Sequence, residues 1–187
     1  MRPLTLFVPD PPLADDVIAL ERLTREHLPE VVQSCEDPEI ARWTLVPFPY
    51  TDADAAAWLT LADEGWRTGR EATFAIVEIS TGALLGSIGI RVPEWPVTDL
   101  GYWVASSVRG RGIAVRAVRL LAAWAFEELG SVRVEILTDV ANRASQRVAE
   151  KAGFSREGVL RQKLEVKGRR SDCVIFSLLP AELARGE

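Results

Sequence analysis

The feature that most constrains this chain is a glycine-rich turn between a β-rich run and a long segment of helical spacing. The run from Gly101 to Ala105 leads into Arg109-Gly110-Arg111-Gly112, and helical periodicity follows at once. The first turn of a helix has unpaired amide donors and the positive end of the helix dipole, so it can hold a diphosphate through the main chain. Glycine lets the backbone approach such a ligand without an intervening Cβ. The sequence therefore predicts an anion cradle over residues 109–114.

The same turn excludes two common nucleotide-binding motifs. No Gly-Lys-Ser/Thr sequence follows, so the turn is not a Walker loop. The third glycine and the downstream acidic residue of the dinucleotide fingerprint are also missing. Gly-x-Gly before a helix is a weak signal by itself, and a plain structural turn stays open as an alternative at this point.

Hydrophobic periodicity predicts a mixed sheet with helices packed on it, in the order β-α-α-β-β-β-α-β-α-β-β. No linker or repeat divides the sequence, so one domain over residues 1–187 is expected. The predicted helices start near Thr24 and near Thr51, the second ending about Gly69, and then cover 111–129 and 142–152. The predicted strands are 17–22, 73–79, 84–91, 97–105, 132–138, 156–166 and 170–179.

Composition narrows the partners and the compartment. A formal net charge of -5 argues against non-specific nucleic-acid binding, which depends on a basic face. Cys35 and Cys173 show neither metal-ligand nor disulfide-framework spacing, which indicates free thiols in a reducing compartment. The longest apolar run, 120–126, is too short to span a bilayer, and no signal-peptide pattern is found at the N-terminus. A cytoplasmic protein without a membrane partner is expected.

Several blocks, in the right order along nearly the whole chain, resemble one family. Arg109-x-x-Gly112-x-Ala114 is similar to the Q/R-x-x-G-x-G/A acyl-CoA motif of the GNAT superfamily of N-acetyltransferases. Asn142 to Ser145 and Glu150 to Phe154 resemble the N-x-x-S...E-K-x-G-F helix of its RimJ/RimL branch, the ribosomal-protein N-terminal acetyltransferases. Shorter blocks that resemble the same branch are Gly101-Tyr102-Trp103, Arg42-Trp43-Thr44, Pro47-Phe48-Pro49, Glu157-Gly158 and Asp172.

The resemblance implies the GNAT fold, an α/β (α+β) architecture with a mixed, mostly antiparallel central sheet of about seven strands and four helices. In that fold the fourth and fifth strands splay apart and coenzyme A lies between them. Its diphosphate would meet the cradle, and its pantetheine arm would pair with the fourth strand like an added strand. The implied cofactor-binding residues are Trp103, Val104, Ala105, Arg109, Gly110, Arg111, Gly112, Ile113, Ala114, Asn142 and Ser145.

The implied activity is transfer of an acetyl or related acyl group from acyl-CoA to a primary amine, by direct attack in a ternary complex. A protein N-terminal α-amine and a small-molecule amine both stay open as acceptors, as does a succinyl or longer donor. Acetyl-CoA is the implied co-substrate, and no metal is expected. The alternative is an acyl-CoA-binding sensor or assembly subunit without turnover. Many relatives are homodimers, and the oligomeric state of this chain stays open.

Amine acylation needs a base for the ammonium group and a donor for the oxyanion. Asp99, at the start of the predicted fourth strand, is the candidate base, with a solvated strand-end carboxylate as the alternative. Glu165 is a rival, but Leu164 occupies the family position, and only a bulge would turn Glu165 to that face. The Val104 N–H is the candidate oxyanion donor.

The departing thiolate needs a proton, and Ser145 matches the serine that the RimL-type branch uses as acid or cofactor ligand. The tyrosine acid of other superfamily members would fall at Ala149, so that route is absent. The alternative is that Asn142 is an N-cap and Ser145 an ordinary first-turn serine.

Trp43 and Phe48 are the candidate substrate-binding residues, as aromatic side chains that could wall an acceptor pocket. Trp58 and Trp66 extend this set, although aromatic residues on helices more often belong to the core. His27, the only histidine, is expected on the surface, which argues against histidine-based or metal-based catalysis.

Overall fold

A computed structural model describes residues 6–183, apart from the side chains of Pro93 and Glu94. Within these residues the chain forms eight strands and six α-helices. The strands are β1 (Leu13–Ala14), β2 (Ile18–Arg22), β3 (Glu71–Glu78), β4 (Leu84–Glu94), β5 (Val97–Val104), β6 (Arg133–Asp139), β7 (Ser155–Val166) and β8 (Arg169–Leu178). The helices are α1 (Leu28–Cys35), α2 (Pro38–Trp43), α3 (Asp52–Thr68), α4 (Ile113–Trp124), α5 (Arg143–Ala152) and α6 (Pro180–Leu183).

All seven predicted strands are present, and the short β1 and the short α6 are additional. The segment predicted as one helix from Thr24 is divided into a 3₁₀ turn, α1 and α2. Asp37 explains the break, because its side chain accepts the Glu39 N–H at 2.9 Å and Pro38 starts a new helix. The helix predicted to start near Thr51 is α3, and Thr51 caps it in a capping box with Asp54.

The long helix predicted over 111–129 begins two residues later and changes its hydrogen-bonding pattern near its end. α4 starts at Ile113, and Ala125–Leu129 continue it as a π-helical turn. Gly130 then ends the segment in a left-handed conformation with φ 76°, as the sequence predicts for a C-cap.

The strands form one sheet in the order β1-β2-β3-β4-β5-β6-β8-β7. Every neighbouring pair is antiparallel except β5 and β6, which are parallel. These two strands pair at three positions only, ending with Asp99 opposite Glu135. β5 stays paired with β4 as far as Val104, while its other edge is free of β6. The splay predicted for the fourth and fifth strands therefore lies between β5 and β6.

Helices cover both faces of the sheet. On one face α4 and α5 pack over a large core cluster that Leu100 and Tyr102 join from β5. On the other face α1 and α3 pack over a smaller cluster that Trp103 contacts. Alternate residues of β5 therefore face different helical layers. Within residues 6–183, no helix combines the length and apolar character needed to cross a membrane.

Three aromatic rings of the larger cluster, one of them from the C-terminal end of α3, contact one another. Phe74 lies edge-on to Trp66 and Trp124, with ring centroids 5.2 and 5.7 Å away. Trp66 is 8% exposed, and its Nε1 donates to the Thr73 carbonyl at 3.2 Å. The hypothesis that Trp66 walls an acceptor pocket is therefore wrong, because its ring and its polar atom are both used inside the core.

Two phenylalanine substitutions test where the stability resides. Phe74→Ala should lower the free energy of unfolding by about 3–5 kcal/mol, because it removes a fully buried ring between two tryptophans. Phe48→Ala is the matched control and should change it by less than about 0.5 kcal/mol, because its side chain is 59% exposed. Urea denaturation followed by tryptophan fluorescence measures both, and equal losses would contradict this description of the core.

Candidate active site

The predicted cradle lies where β5 turns into α4. Gly110 and Gly112 have φ values of 79° and 83°, in the left-handed region that glycine adopts without strain. A Cβ built on either glycine meets no heavy atom of the described residues within 4 Å. The N–H groups of both glycines and of the first three α4 residues donate to no acceptor within residues 6–183. A set of free main-chain donors therefore borders open space at a helix N-terminus, which suits a diphosphate.

The two arginine side chains of this turn already have acidic partners. Arg109 Nη2 lies 2.7 Å from Asp37 Oδ2, and Arg111 Nη2 lies 3.3 Å from Glu78 Oε1. Both carboxylates come from other parts of the fold, so the positive charge of each arginine is balanced. The main-chain amides are therefore the donors of this turn that no carboxylate of the described residues balances.

The hydrogen bonds of the β5 main chain show which of its groups are free to pair with a pantetheine arm. The Ala105 N–H donates to the Leu85 carbonyl at 2.8 Å and is not free to pair with a ligand. The polar main-chain groups of a strand point to alternate sides, so those of Trp103 also face β4. The groups of Val104 and Tyr102 face the splay. The prediction is corrected accordingly: the backbones of Trp103 and Ala105 pair with β4, and Tyr102 joins Val104 at the open edge.

Asp99 lies in a row of charged residues that crosses four strands. Glu71, Arg91, Asp99 and Glu135 are aligned on successive strands from β3 to β6. Arg91 Nε donates to Asp99 Oδ1 at 2.7 Å, and the Asp99 side chain is 16% exposed. Burial raises the pKa of Glu71, while the nearby Arg91 opposes the shift. The candidate base is therefore held in an ion pair instead of standing free.

Glu165 takes part in a surface ion pair on the β7–β8 hairpin. Its Oε2 lies 2.6 Å from Arg170 Nη2, and both side chains are at least half exposed. The register of β7 does shift between Leu160 and Leu164. Asp172 supports this bulge by accepting the Gln162 N–H at 2.9 Å. The bulge is present, yet Glu165 matches the surface alternative.

Asn142 is the N-cap of α5, and Ser145 lies in the first turn of that helix, next to the free edge of β5. Asn142 Oδ1 accepts the Ser145 N–H at 3.1 Å, so the N-cap alternative is correct in geometry. The Asn142 amide nitrogen has no hydrogen-bond partner within the described residues and is available to a ligand. Ser145 Oγ lies 3.0 Å from the hydroxyl of Tyr102.

Tyr102 is a site residue that the sequence hypothesis missed. Burial raises the pKa of its hydroxyl to about 12, and the hydrogen bond with Ser145 opposes that shift. The phenol is therefore protonated at neutral pH. Ala149, at the position of the family tyrosine, is fully buried. The sequence places Tyr102 in a family-like block, but its partner is 43 residues away along the chain.

The candidate substrate-binding aromatic residues lie on α2 and the loop after it. Trp43 is half-buried, with the Arg42 guanidinium 4.6 Å from its ring centroid, and Phe48 is mostly exposed. Trp58 packs half-buried against the smaller core cluster. His27 is half-buried and accepts the Thr24 N–H through Nδ1 at 3.0 Å, a local capping role. Across residues 6–183, no group of three or more His, Cys, Asp or Glu side chains is placed to hold a metal ion.

A sheet that splays beside a helix N-terminus rich in free amides defines an enzyme class that binds acyl-CoA. The family model described as "Acetyltransferase (GNAT) domain" matches residues 18–155, more than half of the chain. The chain therefore belongs to the GNAT acetyltransferase family, and it is an acetyl-CoA-dependent N-acetyltransferase acting on an amine. The fold prediction is confirmed, with one more strand and two more helices than expected.

Three known proteins illustrate the likeness. The chain is 44% identical over 84 residues to the "Putative ribosomal N-acetyltransferase YdaF" of Bacillus subtilis, which covers 45% of this chain and 46% of that protein. A structure of the microcin C7 self immunity acetyltransferase MccE with acetyl-CoA and AMP matches at TM-score 0.79 and 20% identity, over 88% of this chain and 93% of that one. A structure of RimL, a ribosomal L7/L12 alpha-N-protein acetyltransferase, with coenzyme A matches at TM-score 0.79 and 18% identity, over 90% and 96%. At these identities the two structures show the shared fold.

A pair of glycine substitutions tests the cradle. Gly112→Ala should weaken the binding of desulfo-CoA at least about tenfold, because a Cβ would enter the space beside the free amides. Gly82→Ala is the matched control: Gly82 has φ 74° and the same open surroundings, but it lies in the β3–β4 turn. Both variants should lose about 1 kcal/mol of stability from left-handed strain. Titration calorimetry measures the affinities, and equal weakening in both variants would contradict the assignment.

Proposed function

We propose that this protein acetylates the N-terminal α-amine of a protein. The observation that carries the proposal is the 2.7 Å ion pair between Arg91 and Asp99. Asp99 is the carboxylate best placed to act as a base for the acceptor amine, and this ion pair engages it. The other candidate, Glu165, is engaged with Arg170. Glu71, whose pKa burial raises, is separated from β5 by Arg91 on the intervening strand. An acceptor that needs little help to lose its proton fits this arrangement best.

The pKa of the acceptor decides how much help it needs. An amine must be neutral to attack a thioester. An α-amine has a pKa of about 7.7–8.0, so a substantial fraction is neutral at physiological pH, whereas a lysine amine has a pKa of about 10.4. With Asp99 in its ion pair, we expect the α-amine to arrive already neutral or to lose its proton to water.

The relatives agree with this acceptor class. The name of YdaF refers to the ribosome, and that of RimL to the α-amine of a ribosomal protein. The MccE structure contains AMP, and a small-molecule amine is therefore the second acceptor class to be tested. Since ribosomal proteins are made in the cytoplasm, the proposal includes a cytoplasmic location. Light scattering would test the homodimer that is common in the family.

The proposed mechanism assigns a role to each site residue. The free amides from Gly110 to the first turn of α4 hold the diphosphate, and Asn142 holds the pantetheine arm. The acceptor amine enters on the α1–α3 face, beside Trp43 and Phe48, and attacks the thioester directly in a ternary complex. The Val104 N–H donates to the oxyanion of the tetrahedral intermediate. The hydroxyl group that protonates the departing thiolate is that of Ser145.

Matched peptides test the acceptor class. The test peptide has a free α-amine and one internal lysine. Its reaction with acetyl-CoA should release coenzyme A and add one acetyl group to the peptide N-terminus. The same peptide with a blocked N-terminus should react at least about tenfold more slowly, since its lysine amine is mostly protonated. Thiol titration and fragment mass spectrometry measure rate and position. Acetylation confined to lysine or to small amines, with a polyamine and an amino sugar as the test compounds, would contradict the proposal.

The pH profile tests the role of Asp99. With the free peptide, kcat/KM should rise with pH to a plateau above about 9, because the neutral fraction of the α-amine is half at its pKa of about 8 and nearly complete one unit higher. Asp99→Asn should retain this profile, with a change in kcat/KM of less than about tenfold. A variant that loses activity more than a hundredfold, or whose profile moves by more than one pH unit, would show that Asp99 is the base.

A further inference from the structure

The hydroxyl groups of Tyr102 and Ser145 form a hydrogen-bonded pair between two elements that the cofactor must pass. Tyr102 is on the half of β5 that has left β6, and Ser145 is in the first turn of α5. Their hydroxyl oxygens are 3.0 Å apart, while the Tyr102 hydroxyl is 3.5 Å from the Ser145 carbonyl, a marginal contact. The serine oxygen is therefore the main partner of the buried phenol.

The positions of both groups are set by other contacts. The Tyr102 ring packs against the core cluster beneath α4 and α5, opposite Ile88 of β4. Asn142 caps α5 through the Ser145 N–H and so fixes the turn that presents the serine hydroxyl. The two hydroxyl groups are therefore preorganised, because the sheet holds Tyr102 and the helix cap holds Ser145.

Acidity favours one direction for this hydrogen bond. Each hydroxyl group has one proton, and a phenol is the stronger acid of the two, so Tyr102 is the better donor. Ser145 Oγ makes no hydrogen bond to a backbone carbonyl of residues 6–183 and is therefore not tied to its own helix. If the serine oxygen accepts from Tyr102, its own proton is free for a third group.

We infer that Tyr102 is a positioning residue whose hydroxyl donates to Ser145 Oγ and directs the serine proton at the departing thiolate. This inference rests on the proposed function of Ser145. As the carbon–sulfur bond breaks, the sulfur takes the serine proton and leaves as free coenzyme A thiol. The serine oxygen regains a proton from the acceptor nitrogen, which becomes an amide nitrogen. Tyr102 keeps its own proton throughout and only stabilises charge on the serine oxygen.

The pair also accounts for the missing tyrosine of the family pattern. The position of that tyrosine on α5 is Ala149, which is fully buried and has no proton to give. In this chain a phenol reaches the same helix from β5 instead. A strand residue and a first-turn serine thus share a task that one helix residue performs in other members of the superfamily.

Three variants test the inference. Tyr102→Phe should lower kcat about tenfold with the peptide acceptor, while the KM for acetyl-CoA and the affinity for desulfo-CoA stay within about twofold. Ser145→Ala should lower kcat at least as much. The double variant should match Ser145→Ala alone, because Tyr102 acts only through the serine. The matched control is Tyr50→Phe, which removes the only other phenol, also buried, from the smaller core cluster.

Three outcomes would overturn the inference while leaving the proposed function intact. One is an active wild type whose Tyr102→Phe variant retains full kcat. Another is a double variant whose loss is the product of the two single losses, which would mean independent roles. A Tyr102→Phe variant that loses affinity for desulfo-CoA in proportion to kcat would show a structural role and would also overturn it. A wild-type protein that is inactive with every amine would instead contradict the proposed function itself.

Discussion

Three backbone pairings hold β5 against β6, and the separation of the two strands beyond Asp99 and Glu135 determines the rest of the site. A strand inside a sheet normally satisfies both edges with its neighbours. Here β5 satisfies only its β4 edge over its last residues, so main-chain groups of Tyr102 and Val104 face a gap. The turn after the strand leads directly into α4, whose free amides lie at the end of the same gap. Donor groups for a long ligand are thus lined up by the backbone alone.

The charged groups around this gap are arranged to neutralise one another. Arg109 and Arg111 pair with acids from other elements, and Asp99 pairs with Arg91. Main-chain amides at the N-terminus of α4 have no partner within the described residues, and the hydroxyl groups of Tyr102 and Ser145 pair with each other. Their protonation does not change near neutral pH, which suits the proposed α-amine acceptor, whose own proton titrates in that range. The proposed mechanism depends on placement more than on a strongly shifted carboxylate.

Much of the fold could be predicted, because hydrophobic periodicity and helix caps are local properties. Thr51 and Gly130 lie within a few residues of the groups that they cap, and the sequence is enough to identify them. The break between α1 and α2 was missed, although Asp37-Pro38 is a local signal for a new helix. For Trp66, in contrast, the sequence alone could not decide the location of the side chain. An aromatic residue on a helix is compatible with a pocket or with the core, and only its partners from β3 and α4 decide between them.

The sequence by itself determined the family and the glycine turn before α4, since a motif with a fixed spacing places its own backbone atoms. The tertiary structure decided which side chains of the site are engaged and which are free. Arg91 and Asp99 are joined across neighbouring strands, and Tyr102 reaches Ser145 from a strand to a helix. The physical reason is that hydrogen bonds and ion pairs depend on distances of about 3 Å between atoms. Such distances between residues far apart in the chain are set only by strand register and helix packing.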